Sequence, residues 1–202
     1  INCMIKFKKI NKHNLIMIAG GSGMVGSAIL RKLKENNFNK VIAPSSSQLD
    51  LRNQSKVNQY LKKEKPDHIF ICAGKVGGIK ANDTFKAQFL YDNLIIQANL
   101  IHGAHLNEIN SLMYFGTSCI YPKYAKQPLK EKYLLTGGLE KTNEGYALAK
   151  ISGIKMCEYY NFQYGRRYFS VMPTNLYGPN DNYDLKNSHV LPALLLKMHK
   201  AK

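Results

Sequence analysis

Five short apolar runs set the frame of the chain. Leu15-Ile16-Met17-Ile18-Ala19 is continuously apolar over a strand's length, as a buried parallel strand is. Val41-Ile42-Ala43, His68-Ile69-Phe70-Ile71-Cys72, Leu112-Met113-Tyr114-Phe115 and Tyr168-Phe169-Ser170-Val171-Met172 follow. Between them, apolar positions recur at helical spacing. They predict helices ending near Asn36, around 54–63, from about Asn82 to His105, from the segment holding Tyr146 to about Tyr164, and from Ser188 to Lys200. This alternation predicts an α/β chain: a doubly wound parallel sheet with right-handed crossovers and helices on both faces. Ligands of such a sheet lie beyond the carboxyl ends of its strands.

Unusual residues concentrate at those ends. Gly20-Gly21-Ser22-Gly23-Met24-Val25-Gly26 joins the first strand to the first helix with glycines every third position. The glycines permit a tight turn and close approach of a pyrophosphate, and the helix start supplies free N–H groups and a positive dipole end. Ala73-Gly74-Lys75-Val76-Gly77-Gly78-Ile79 ends the third strand and Gly116-Thr117-Ser118-Cys119-Ile120-Tyr121-Pro122 the fourth. The second strand ends in Ser45-Ser46-Ser47, without the acid that usually holds a ribose 2′-hydroxyl and without an arginine placed for a 2′-phosphate. The choice leans to NADP over NAD. Tyr146 and Lys150, four apart, share a helix face, and a lysine ammonium beside a phenol favours its ionisation.

Composition narrows the setting. The hydrophobic share of 45% is that of a globular chain. No apolar run reaches the length of a membrane span. Cys3, Cys72, Cys119 and Cys157 show no Cys-x-x-Cys spacing and no zinc pattern with the histidines, which reads as a reducing, cytoplasmic protein. The net charge of +16 is spread as single lysines, apart from Lys6-Phe7-Lys8-Lys9, Lys62-Lys63 with Lys65, and Arg166-Arg167. That is a surface that attracts anionic ligands rather than a nucleic-acid stripe. The chain begins at Ile1 and stops at Lys202 within an apolar-periodic stretch, so it reads as part of a longer protein. Residues 1–14 read as a basic extension, 15–185 as a dinucleotide-binding domain and 186–202 as the start of a second domain whose larger part is missing.

The glycine turn, a hydroxyl residue after strand four and Tyr-x-x-x-Lys on the next helix resemble the extended short-chain dehydrogenase/reductase family, which has a Rossmann-like fold. Longer strings are similar to its 3,5-epimerase/4-reductase branch acting on GDP-4-dehydro-6-deoxy-D-mannose. These are Lys75-Val76-Gly77-Gly78-Ile79, Ser118-Cys119-Ile120-Tyr121-Pro122-Lys123, Ala125-Lys126-Gln127-Pro128, Pro173-Thr174-Asn175-Leu176-Tyr177-Gly178-Pro179 and Asn187-Ser188-His189-Val190. The resemblance implies that Tyr146 protonates a C4 oxygen as hydride arrives from NADPH. Lys150 would bind the nicotinamide ribose and lower the pKa of Tyr146, and Thr117 or Ser118 would bond the reacting oxygen. Cys119 and His189 would exchange the protons at C3 and C5; apart from the resemblance they read as a small buried thiol and a surface imidazole. Cofactor contacts would fall on Gly20, Gly21, Ser22, Gly23, Met24, Val25, Gly26, Ser46, Asp50, Leu51, Lys150, Pro173, Thr174, Asn175, Leu176 and His189. Lys197 would meet the substrate pyrophosphate. The resemblance further implies a nucleotide-sugar substrate and a homodimer built on the two long helices, with no nucleic-acid or membrane partner.

The chain departs from that pattern at Ser22 and Ser46, where arginine can stand for the 2′-phosphate, and at Gly145, where proline often precedes the tyrosine. Three rival readings follow: another nucleotide-sugar epimerase or dehydratase of the same fold, a non-catalytic dinucleotide-binding module, and a nucleic-acid binder driven by charge.

Overall fold

The computed structural model of the chain describes residues 10–185 and 188–201. Lys6, Lys8, Lys9, Cys3 and Asn187 lie outside the described residues. Five parallel strands form one sheet: β1 (Ile16–Ala19), β2 (Val41–Ile42), β3 (His68–Ile71), β4 (Ser111–Phe115) and β5 (Arg167–Val171), in the order β2-β1-β3-β4-β5. The four residues of β1 are wholly buried, as a strand covered on both faces must be. Register follows the side-chain alternation. Ile69 pairs with Leu112 and Leu112 with Tyr168, and these buried residues share one face. Phe70, Met113 and Phe169 line up on the other face and are half-buried.

The helices are α1 (Met24–Glu35), α2 (Gln54–Glu64), α3 (Ile79–Thr84), α4 (Lys86–Leu106), α5 (Glu144–Tyr164) and α6 (Val190–Lys200). The strand order reverses between β2 and β3, so right-handed crossovers put α1 on one face and α2, α4 and α5 on the other. There α4 packs between α2 and α5. Local chemistry sets several boundaries. The Asn53 side chain accepts from the Lys56 N–H at 3.0 Å and starts α2. Gly165, at φ +64°, lets the chain leave α5 in the left-handed region. The core gathers Met17, Leu61, Ile71, Leu100, Ile101, Leu112 and Tyr114 between sheet and helices; each large apolar side chain so buried contributes roughly 1.5–3 kcal/mol.

Two expected elements differ. The single helix expected from Asn82 is two, α3 and α4, broken at Phe85. The side chains at the break act locally: Asn82 donates to the carbonyls of Gly77 and Gly78, and Asp83 pairs with Lys86 at 2.8 Å. Strand β2 is only two residues long, because the chain turns at Pro44 into a serine-rich loop held by Ser45 and Gln48.

Candidate active site

At the carboxyl end of β1 each glycine can be assigned a reason. Gly20 has φ +87°, and a Cβ there would lie 2.7 Å from the Ala73 nitrogen. A Cβ on Gly26 would lie 2.1 Å from the Gly20 carbonyl oxygen, and one on Gly21 2.7 Å from the Ala43 Cβ. These three let the turn, α1 and the ends of β2 and β3 close on one another. Gly23 is different: an added Cβ would meet only the Gly20 oxygen, at an ordinary 3.5 Å, so packing does not require glycine there. It is the N-cap of α1, with no side-chain cap and no acid in the first turn. The helix start is therefore open, its N–H groups and dipole uncompensated, and fits an anion such as a dinucleotide pyrophosphate. Ser22 is exposed beside it, and Met24 and Val25 begin the helix half-buried.

The β2 end lies against this turn through Ala43. Ser46 is exposed there. Asp50 accepts both Arg52 Nε and a terminal Arg52 nitrogen, each at 3.0 Å, and this pairing holds its carboxyl below the usual range. Arg52 also lies 3.8 Å from Asp92, so the arginine nearest this loop is engaged by carboxylates. The Leu51 carbonyl accepts from Asn99 of α4 at 2.9 Å.

Lys150 is the centre of the arrangement after β3 and β4. Only 5% of it is exposed, yet no carboxylate pairs with it among the described residues. Its ammonium donates to the Phe115 carbonyl at 2.8 Å and lies 4.9 Å from the centre of the Tyr114 ring and 5.8 Å from that of Tyr146. Gly74 covers it, since a Cβ there would be 3.8 Å from Lys150 Nζ. That loop is fixed by Asn93, which accepts from the Lys75 N–H and donates to the Lys75 carbonyl, while Lys75 pairs with Asp92 at 3.2 Å.

Thr117 caps a 3-10 turn, Ser118–Ile120, that follows β4 and packs on α5. Thr117 Oγ1 accepts from the Cys119 N–H at 3.4 Å, and Ser118 is half-buried. Cys119 is close enough to Tyr146 for a thiolate there to resist ionisation of the phenol. Tyr146 packs edge-on against Phe89. The expected lowering of the Tyr146 pKa does not hold in this geometry. Burial dominates and pushes Tyr146 up to about 12, while it pushes Lys150 down to about 8. Tyr146 is then a neutral phenol at pH 7, the form a proton donor needs.

Pro173, Thr174, Asn175 and Leu176 follow β5 at the same end of the sheet, the last three exposed. Their loop returns to α1 through Asn180, which donates to Ser27 Oγ at 3.0 Å. The structure does not draw His189 and Lys197 into the cluster. His189 caps α6 and Lys197 lies near its end; both are exposed, and neither side chain has a hydrogen bond or ion pair among the described residues. Sequence reasoning passed over Asn93, Gln97 and Tyr114. The available signal was Asn93 and Gln97, two polar residues four apart and so on one face of α4.

An open helix start after β1, a tyrosine–lysine pair beneath the β3 and β4 loops and a thiol on the turn after β4 thus meet at the carboxyl ends of the strands. The chain belongs to the NAD dependent epimerase/dehydratase family, whose model matches residues 16–202. It is 53% identical to the GDP-L-fucose synthase of Escherichia coli (strain K12) over 92% of this chain, and 50% identical to GDP-L-fucose synthase 1 of Arabidopsis thaliana over 95%. It spans 58% and 59% of those relatives' lengths. Among solved structures, a GDP-D-glycero-L-gluco-heptose synthase from Campylobacter jejuni, determined in the presence of NADPH, superposes with a TM-score of 0.92 at 42% identity, covering 96% of this chain and 57% of that one. A GDP-L-fucose synthetase from Naegleria fowleri bound to NADP gives 0.87 at 28% identity, covering 96% and 64%.

Proposed function

We propose that the chain is the dinucleotide-binding part of an NADPH-dependent enzyme that epimerises GDP-4-dehydro-6-deoxy-D-mannose at C3 and C5 and reduces it at C4, giving GDP-L-fucose. The observation that carries this reading is the buried Lys150–Tyr146 pair with Cys119 beside the phenol, set at the strand ends that also hold the open start of α1. The GDP-sugar enzymes among its relatives support the same substrate class.

NADPH, when bound, supplies the hydride for C4. Gly20 to Gly26 would take its pyrophosphate, Ser46, Asp50 and Leu51 would border its adenosine, and Pro173 to Leu176 with His189 would border the nicotinamide half. Lys150, with one N–H on the Phe115 carbonyl, has two left for ribose hydroxyls. Tyr146 gives its phenolic proton to the C4 oxygen as that oxygen gains negative charge, and solvent restores it afterwards. The Lys150 ammonium stabilises the transient phenolate. Thr117 or Ser118 donates a hydrogen bond to the same oxygen. The C3 and C5 protons are acidic because removal gives an enolate of the C4 ketone. Cys119 and His189 would work on opposite faces, one removing a proton and the other returning one, so that configuration inverts. Lys197 would contact the diphosphate.

The two long helices support a dimer of like chains. Helices α4 and α5 lack a polar face, and Tyr91, Tyr159 and Phe162 are 63%, 59% and 91% exposed. No described helix is long and apolar enough to cross a membrane, and Cys72, Cys119 and Cys157 are free thiols, which supports a cytoplasmic setting.

The test is product analysis with the full-length protein and the keto sugar. The reading expects GDP-L-fucose with one NADPH consumed per product. Tyr146→Phe should stop reduction while deuterium still enters at C3 and C5. Exchange and reduction unaffected by Tyr146→Phe and Cys119→Ser would refute the assignment.

A further inference from the structure

We propose that Tyr114 and Gln97 are positioning residues for Lys150: the Tyr114 ring is the surface on which the buried ammonium rests, and Gln97 fastens that ring to the lysine's own helix. The proposal rests on the reading of Lys150 as the cation that works beside Tyr146.

A buried lysine needs either a counter-charge or another source of negative potential to stay protonated. Among the described residues no carboxylate pairs with it. What faces it is one carbonyl, Phe115 at 2.8 Å, and two aromatic rings, Tyr114 at 4.9 Å and, farther off, Tyr146 at 5.8 Å. An aromatic face attracts a cation through its quadrupole, more strongly where water is excluded. Tyr114 is 1% exposed. Its hydroxyl donates to Gln97 Oε1, and the Gln97 amide donates to the Ala149 carbonyl, on the residue preceding Lys150. The links form a closed loop: ring to ammonium, ammonium through one residue of α5 to the Ala149 carbonyl, carbonyl to Gln97, Gln97 to the ring hydroxyl. Gly153, one turn along α5, leaves the space the ring fills. A Cβ there would lie 2.5 Å from Tyr114 Cζ and 2.8 Å from Gln97 Oε1. Strand, α4 and α5 are thus interlocked at one point, and that point supports the ammonium.

The other groups facing Lys150 do not supply this role. Cys72 at the end of β3 is a thiol that burial pushes up to about 12, so it is neutral at physiological pH. Tyr146 is also neutral, and Cys119 lies beyond it. On α4, Asn93 and Gln97 carry no charge, and Asp92 is tied to Lys75 and Arg52.

The test is a pH titration of the 202-residue chain carrying lysine labelled with carbon-13 at Cε, read by NMR without substrate. One resonance, absent from Lys150→Arg, should titrate near 8. Tyr114→Leu should move it down by about one pH unit, a tenfold loss of proton affinity. Tyr114→Phe keeps the ring but frees it from Gln97, and should move it by less than half as much. Gln97→Leu and Gly153→Ala, which free or displace the ring, should move it partway. Leu112→Ala, a buried change on the same strand, should lower stability without moving it. If Tyr114→Leu does not fold, Gln97→Leu decides: a downward shift supports the proposal and an unmoved titration overturns it. A Lys150 titration unchanged in Tyr114→Leu and Gln97→Leu, or shifted as far by Tyr114→Phe as by Leu, overturns the proposal. Because no turnover is read, an inactive enzyme with these shifts intact would count against the reductase reading and leave the positioning role standing.

Discussion

The two residue pairs proposed for acid–base work occupy opposite environments. Tyr146 and Lys150 share one face of α5, lie beneath the loops after β3 and β4, and are held by the Phe115 carbonyl, the Tyr114 ring and Phe89. His189 begins α6, a helix with Pro192 buried but Val190, Leu194, Leu195 and Met198 exposed. Cys119 stands at the boundary, on a short turn packed against α5. In the proposed reaction the phenol must stay neutral and the lysine charged; burial favours the first and works against the second, which the Phe115 carbonyl and the Tyr114 ring offset. Groups proposed to remove and return carbon-bound protons would have to face the sugar itself; Cys119 is half-buried and His189 exposed.

The largest effect that could break this contrast is at Tyr146. Tyr146→Phe should slow reduction of the keto sugar by about 10³-fold, within the usual worth of a positioned proton donor, measured as NADPH consumption by the full-length enzyme. Deuterium entry at C3 and C5 should survive; loss of both together would mean the two pairs are not separable. Next comes the glycine turn. Gly26→Ala puts a methyl 2.1 Å from the Gly20 carbonyl, a backbone clash no rotamer relieves, and should lower stability by about 3 kcal/mol in urea unfolding. Cys119→Ser should leave reduction of an already epimerised ketone near its normal rate and slow carbon–proton exchange by about 100-fold, since serine is a far weaker acid.

The smallest effect concerns stability. Lys150 falls from 10.5 to about 8 because burial disfavours its charge. Below pH 8 the lysine is charged in both folded and unfolded chains, and the full cost of burying it is present. Between about 8 and 10.5 the unfolded chain binds more protons, so this contribution to stability rises with pH. The depression corresponds to about 3 kcal/mol. Lys150→Met removes that cost but leaves the Phe115 carbonyl unpaired, which takes back about 1–2 kcal/mol. The variant should therefore be about 1–2 kcal/mol more stable at pH 7, lose the stability gain above pH 8, and be catalytically dead. A variant less stable at every pH would show that the lysine is structural.

Much of this was legible in the sequence because it depends on local pattern. The continuous apolar runs gave parallel strands, and the glycine spacing gave the turn from β1 into α1, since a Cβ at 20, 21 or 26 has nowhere to go. Tyr146 and Lys150 at i and i+4 could be placed on one helix face before any coordinates. What spacing could not supply was the balance of burial against charge. The lysine was expected to make the phenol easier to ionise; instead both groups are desolvated, and each moves toward its neutral form. Nor could it supply the partners of Lys150, because Tyr114 and Gln97 reach it from β4 and α4, distant in sequence. The break at Phe85 was hidden because no proline or glycine marks it, while the side chains of Asn82 and Asp83 act within the turn.

The strand ends are proposed to hold a dinucleotide, with Gly23 at the open start of α1. The most direct test is a titration of NADPH into the 202-residue chain and its Gly23→Val variant, followed by nicotinamide fluorescence. Saturable binding by the native chain, abolished in a variant that unfolds in urea as the native chain does, is the expected result. Equal binding by both, or none by the native chain, would contradict the account.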